Sequence, residues 1–246
     1  MAGFDKREKC LICDEPLLYS EKHMSMQCMF CNEFFYTNLI CKNRHYVCDE
    51  CRVNKAHEAI IEFCEKTRQK EAAAIAFKLM NDKWIKMHGP EHAFLVAAVL
   101  ITAYKNRGYN ANNGKWSFEA TLEEAKKRAS KIPANSCGYW GCCGEAIGSG
   151  IFASLVLKAS PMTISERAGA NMITSRVLEQ IAMYGGPRCS KRESMIAILV
   201  TSQFTEEYWA KPLTDFEGIE CIFFERNADC IKGRCPFFPK PEAAQG

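Results

Sequence analysis

The chain has 246 residues, 48% of them hydrophobic, and a net charge of +3 from 32 basic and 29 acidic residues. This composition excludes bulk disorder, and so even a charge balance gives no argument for a nucleic-acid or membrane partner. Fifteen cysteines are the abnormal count. The start, MAGFDKREKC, is charged and has no apolar signal core. The longest apolar run, Ala93 to Tyr104, is too short to span a bilayer. A reducing cytoplasmic setting is therefore expected, with thiols either free or bound to metal and no membrane partner.

Residues 10–51 carry four half-sites: Cys10-x-x-Cys13, Cys28-x-x-Cys31, Cys41-x3-His45 and Cys48-x-x-Cys51. A Cys-x-x-Cys turn aims two thiolates at one point, half of a tetrahedral zinc site, so four half-sites complete two zinc ions with no ligand left over. Cross-bracing joins Cys10, Cys13, Cys41 and His45 at one ion and Cys28, Cys31, Cys48 and Cys51 at the other. Sequential pairing is the alternative. Cross-bracing is favoured because it ties so short a segment into one unit. EFFYTNL reads as a strand or hairpin, and bound metal supplies the folding energy that a small core lacks. His23 has no ligand spacing and reads as a surface residue. The aromatics Phe30, Phe34, Phe35 and Tyr36 serve as a small core or as a stacking face for a partner, RNA included.

From Lys55 the apolar period becomes helical, through Ile60, Ile61, Phe63 and Cys64 and then Ile75, Phe77, Leu79 and Met80. Pro90 opens a helix that is apolar nearly all round and belongs at the centre. In HGPEH, His88, Glu91 and His92 match the inverted zinc-protease spacing. Gly89 and Pro90 start a helix between the imidazoles, which spoils the shared face that motif needs. These three residues read equally as acid–base groups lining a site or as a helix entry with Glu91 at the positive dipole end. NRGYNANNGKW reads as a polar loop. Residues 118–131 read as a helix with Thr121 and Glu124 at capping-box spacing.

CGYWGCCGEAIGSGIF packs three cysteines and five glycines into sixteen residues. From Cys143 it reads as a helix whose small face, through Gly144 and Gly148, admits another backbone or a ligand. Cys142 and Cys143 fall at its start, where the dipole favours thiolate. Ser165 to Tyr184 reads as an amphipathic helix through Met172, Ile173, Val177, Leu178, Ile181 and Ala182. GGPRCSKRES then presents Cys189 at another helix start, with a capping box from Ser190 to Glu193. The last segment, with Cys221, Cys230 and Cys235-Pro236, suits iron–sulfur ligation, although its spacing matches no standard ferredoxin run. Cys189 as fourth ligand closes such a cluster; without it one iron stays open to substrate.

The fold expected is mainly α: a zinc-ribbon or treble-clef-like knuckle domain over 1–54, then a helical cysteine-rich domain over 55–246 with an irregular metal-binding tail. MHGPEHAFLVAAVLITAY, CGYWGCCGEAIGSGIF, GGPRCSKRES, the CPFF tail and HYVCDEC together resemble an uncharacterised domain-of-unknown-function family of anaerobic archaea and bacteria. The resemblance covers nearly the whole chain. It implies an anaerobic setting and one site shared by these motifs, with cysteines at the positions of Cys137 and Cys143 and often Ala at that of Cys142. It implies no reaction.

Two functions are therefore weighed. One is an iron–sulfur protein with lyase or sulfur-transfer activity on a small-molecule substrate. Cys189, Cys221, Cys230 and Cys235 hold its cluster, Cys137 and Cys143 are working thiols, and His88, Glu91 and His92 move protons. The other is a zinc-stabilised accessory protein that delivers metal, sulfur or cluster to a partner enzyme, or binds RNA.

Overall fold

The computed structural model describes residues 9–109, 116–214 and 218–240. Residues 110–115 of the expected polar loop lie outside them. The fold is mainly α, with a small two-stranded sheet near the N-terminus. Strands β1 (Leu17–Gln27) and β2 (Phe34–Cys41) form an antiparallel hairpin that pairs Leu17 with Cys41 and Met26 with Phe35. Cys10-x-x-Cys13 precedes β1, so closing the hairpin carries it to Cys41. Cys28-x-x-Cys31 forms the turn between the strands. After each pair one residue takes the left-handed conformation, Asp14 at φ 58° and Asn32 at φ 62°. Asp and Asn are the non-glycine residues best suited to that conformation. Each turn closes with the same bond, Asp14 N to Cys10 O at 2.9 Å and Asn32 N to Cys28 O at 3.0 Å.

Helix α1 (Asp49–Lys66) begins at once, with Cys48 as its N-cap accepting from the Cys51 N–H. The expected boundary at 54/55 thus falls inside α1, and the knuckle region passes into the helical body without a linker. The body comprises α2 (Ala72–Met80), α3 (Glu91–Asn106), α4 (Phe118–Ala129), the single-turn α5 (Ser136–Tyr139), α6 (Gly144–Leu157), α7 (Ser165–Tyr184) and α8 (Ser190–Trp209). Helix α3 is buried all round from Glu91 to Tyr104 and packs on α1, α2, α4, α6 and α8. The small face of α6 answers to this centre. A Cβ at Gly148 would overlap the Ala93 carbonyl oxygen, so only glycine lets α6 approach α3 there. On α7, Ile173 and Val177 face inward, but Met172 is 41% exposed.

Two expected capping boxes need correction. Ser117, not Thr121, caps α4: its hydroxyl accepts from Ala120 N, and Thr121 sits one turn inside, donating to Ser117 O at 2.7 Å. In α8 the N-cap is Cys189, not Ser190, and the Glu193 carboxylate reaches back to accept from Cys189 N at 3.0 Å. Beyond α8 the chain is irregular, with single 3-10 turns at Phe224–Arg226 and Lys232–Arg234. It folds back on the body, stacking Phe223 on Phe77 of α2 with ring centres 6.1 Å apart.

Candidate metal centres

The eight knuckle ligands gather into two groups, Cys10, Cys13, Cys41 and His45, and Cys28, Cys31, Cys48 and Cys51. Within each, all ligand atoms lie within 4.8 Å of one another. Cys13 Sγ lies 3.5 Å from Cys41 Sγ, and Cys31 Sγ lies 3.9 Å from Cys48 Sγ. Zinc–sulfur bonds of about 2.3 Å at tetrahedral angles separate two sulfurs by about 3.8 Å, so both groups have the size of one four-coordinate ion. The pairing is cross-braced. N–H groups already point at the sulfurs: Asn43 N to Cys41, Cys48 N to Cys28 and Cys51 N to Cys48, each at 3.4 Å. The Glu15 backbone N–H and the Asn43 amide pull the Cys13 thiol down to about 6.

Buried polar contacts join this region to the body. Arg52, one residue beyond the ligand Cys51, grips Glu91 at the start of α3 through Nη1–Oε1 at 3.0 Å and Nη2–Oε2 at 3.1 Å. Both side chains are buried. His92 beside it is fully buried, donating its Nδ1–H to Gly89 O at 3.1 Å, and burial pulls it down to about 3. Glu91 is therefore a structural ion-pair partner, and sealed burial removes Glu91 and His92 from contact with a solvent-borne substrate.

Four of the later cysteines converge. Cys189 at the start of α8 and Cys221, Cys230 and Cys235 of the tail line one hollow, walled by Phe77, Met87, Met195, Phe223 and Phe237. No three of these sulfurs come within 4.8 Å of one another, unlike the knuckle groups. The set is too wide for one ion as it stands. Phe223 N donates to Cys221 Sγ and Lys232 N to Cys230 Sγ, both at 3.3 Å, the same two-residue turn seen at Cys41. Asn227 Nδ2 donates to Cys189 Sγ at 3.5 Å. The expected thiolate at helix start needs correction: burial outweighs the dipole and pushes Cys189 up to about 11. Burial also raises Cys221 and Cys235.

Cys143, the N-cap of α6, lies against two buried carboxylates. Its thiol donates to Glu145 Oε2 at 2.8 Å and approaches Glu193 Oε2 at 3.5 Å. These three ligand atoms also fall within 4.8 Å of one another. Burial and the neighbouring carboxylates raise Cys143 strongly, and burial together with the Glu193 charge lifts Glu145 to about 7. Here too the expected thiolate is not favoured. Glu193 links Cys143 to the Cys189 backbone, so the two helix starts do meet. His88 is half-buried beside Asn227. Cys137, in contrast, is exposed on α5 and does not line the hollow, and Cys142 lies half-buried between α5 and α6.

Sequence reasoning missed Glu145, Asn227 and Arg52, read Lys191 only as a basic flank of the Cys189 helix start, and assigned Glu193 only a capping role. Lys191 lines the hollow while almost wholly buried, its Nζ donating to Met80 O at 3.0 Å and Ile85 O at 3.4 Å. The one signal available was position: Lys191 and Glu193 follow Cys189 within a helical turn, and Glu145 follows Cys143 by two residues. Among the described residues no helix is long and apolar enough to cross a membrane.

Fold and site together define a helical, cysteine-rich protein with side-chain groups arranged to hold metal ions. The chain belongs to a family of unknown function (DUF5714), matched over residues 60–238. The match takes in Cys143, Cys189 and the tail cysteines and leaves all eight knuckle ligands outside. Neither a curated protein nor a solved structure matches the chain.

Proposed function

We propose that this is an iron–sulfur protein of anaerobic metabolism, with two structural zinc ions in the knuckle region and one cluster held by Cys189, Cys221, Cys230 and Cys235. The convergence of these four cysteines on one hollow carries the reading. They line one hollow without forming a single-ion group like those of the knuckle region, and a polynuclear cluster needs ligands set wider apart than one ion does. The N–H donors at three of the four sulfurs suit thiolates bound to metal, whose potential such bonds tune. Burial raises the thiols of Cys189, Cys221 and Cys235, and an iron core would stabilise the thiolate form.

Four ligands favour a coordinatively closed cluster, and hence one-electron transfer, over a lyase that needs an open iron. A buried Cys143 locked on two carboxylates is a poor sulfur carrier, which weighs against sulfur transfer. The test is selective ligand loss in protein made without air. Cys189→Ala should lose iron and acid-labile sulfide while keeping zinc, and Cys10→Ala should lose zinc while keeping the cluster. Iron content unchanged in Cys189→Ala rejects the ligand assignment.

A second reading, an accessory protein that binds RNA or a partner through the knuckle, is favoured by Phe34 and Tyr36, which stand 67% and 81% exposed on β2. Retained single-stranded RNA binding after replacing both by Ala would reject the stacking role.

A further inference from the structure

Lys191 is a buried lysine that makes no ion-pair contact among the described residues, and the carboxylate whose charge reaches it, Glu91, is already gripped by both Arg52 nitrogens. Its side chain is 2% exposed, and both of its hydrogen bonds go to neutral carbonyls, Met80 O at the end of α2 and Ile85 O in the turn beyond. Its ammonium lies 5.2 Å from the centre of the Phe223 ring, in the wall of the hollow that the four cysteines line. The other cations there are already answered or solvated. Arg192 is held by Gly185 O, Pro187 O and the Glu193 carboxylate. Arg226, 5.1 Å from the centre of the same Phe223 ring, is exposed, so water and salt screen it. A desolvated ammonium is costly unless an opposite charge lies near. The hollow is the place left for that charge, and the N-terminus of α8 opens there at Cys189, adding its own positive potential.

We propose that Lys191 is the counter-charge of the cluster and raises its reduction potential. This rests on the cluster reading given above. Reduction adds one electron from a one-electron donor to the iron–sulfur core. No bond forms or breaks, and the four-thiolate assembly becomes one charge more negative. A fixed cation in a low-dielectric wall stabilises that product more than the oxidised form. Capping the end of α2 is the plain structural role of the same lysine. That role would affect stability and leave the potential where it is.

The experiment compares wild type, Lys191→Met and Lys191→Arg, loaded without air and titrated with dithionite while iron and sulfide are counted. Lys191→Met should lower the equilibrium constant for reduction at least tenfold, 59 mV more negative for a one-electron couple. Lys191→Arg should stay within threefold of wild type. A loaded Lys191→Met within twofold of wild type overturns the inference and leaves the cluster reading standing. If Lys191→Met cannot hold the cluster but Lys191→Arg can, the charge role is supported. Loss in both shows a packing role and overturns it. Absence of iron and sulfide from wild type removes the cluster reading itself, and is seen before any potential is measured.

Discussion

Replacing Arg52 by Met tests the joint between the knuckle region and the helical body. Glu91 has three hydrogen-bond donors: the two Arg52 nitrogens at 3.0 and 3.1 Å, and Lys86 N at 2.9 Å. The substitution removes two of the three and leaves a carboxylate that is 0% exposed. Charge-assisted bonds contribute about 1.5–3 kcal/mol each. Breaking a buried pair by deleting one partner costs about 3–5 kcal/mol. Arg52→Met should therefore lower stability by about 3–5 kcal/mol. Glu91→Leu should cost a similar amount, and the double variant less than the sum, because neither charge is then stranded. Urea unfolding followed by circular dichroism, at one fixed saturating zinc concentration, measures all four proteins under the same metal linkage. Single-variant losses below about 1 kcal/mol, the range of an exposed ion pair, would refute the reasoning.

Two further predictions follow from the packing. Gly148→Ala should destabilise by about 1–3 kcal/mol, because its Cβ meets the Ala93 backbone. Gly144→Ala, whose Cβ would sit 3.5 Å from Ala93 Cβ, should be neutral or stabilising by up to about 1 kcal/mol; thermal melts that rank the pair the other way reject the close approach. Burial pulls His57, edge-on to Phe94, down to about 4 from its ordinary value of 6.5. The unfolded chain then binds the proton first, so stability is full above pH 6.5 and falls by about 3 kcal/mol toward pH 4. His57→Phe should flatten that fall relative to wild type, and parallel pH profiles for the two proteins would contradict it.

The metal half-sites were legible because each is local: two ligands a turn apart announce themselves in a short string. Which half-sites pair was favoured correctly but not fixed by the sequence, since the β1–β2 register decides it. Cys189 could be joined to the tail because glycine, proline and cysteine mark the loop and the tail. The charged neighbours were harder. Lys191 and Arg192 read as basic neighbours that make the helix start anion-friendly and Glu193 as its capping residue, yet all three are buried, a depth that no local pattern announces. The Arg52–Glu91 pair spans 39 residues and leaves no local pattern. Thr121 and Glu124 fit a capping box in spacing, but the preceding Ser117 starts the helix one turn earlier, a choice the apolar period alone does not make. Cys137 was placed at the site on the strength of its motif, and α5 turns it outward.

The central claim is that one chain separates two kinds of metal centre, and elemental analysis of wild-type protein made and purified without air tests it most directly. The account predicts about two zinc ions, about four iron ions and about four acid-labile sulfides per chain. Protein that carries zinc alone, with no sulfide after anaerobic reconstitution, would contradict it.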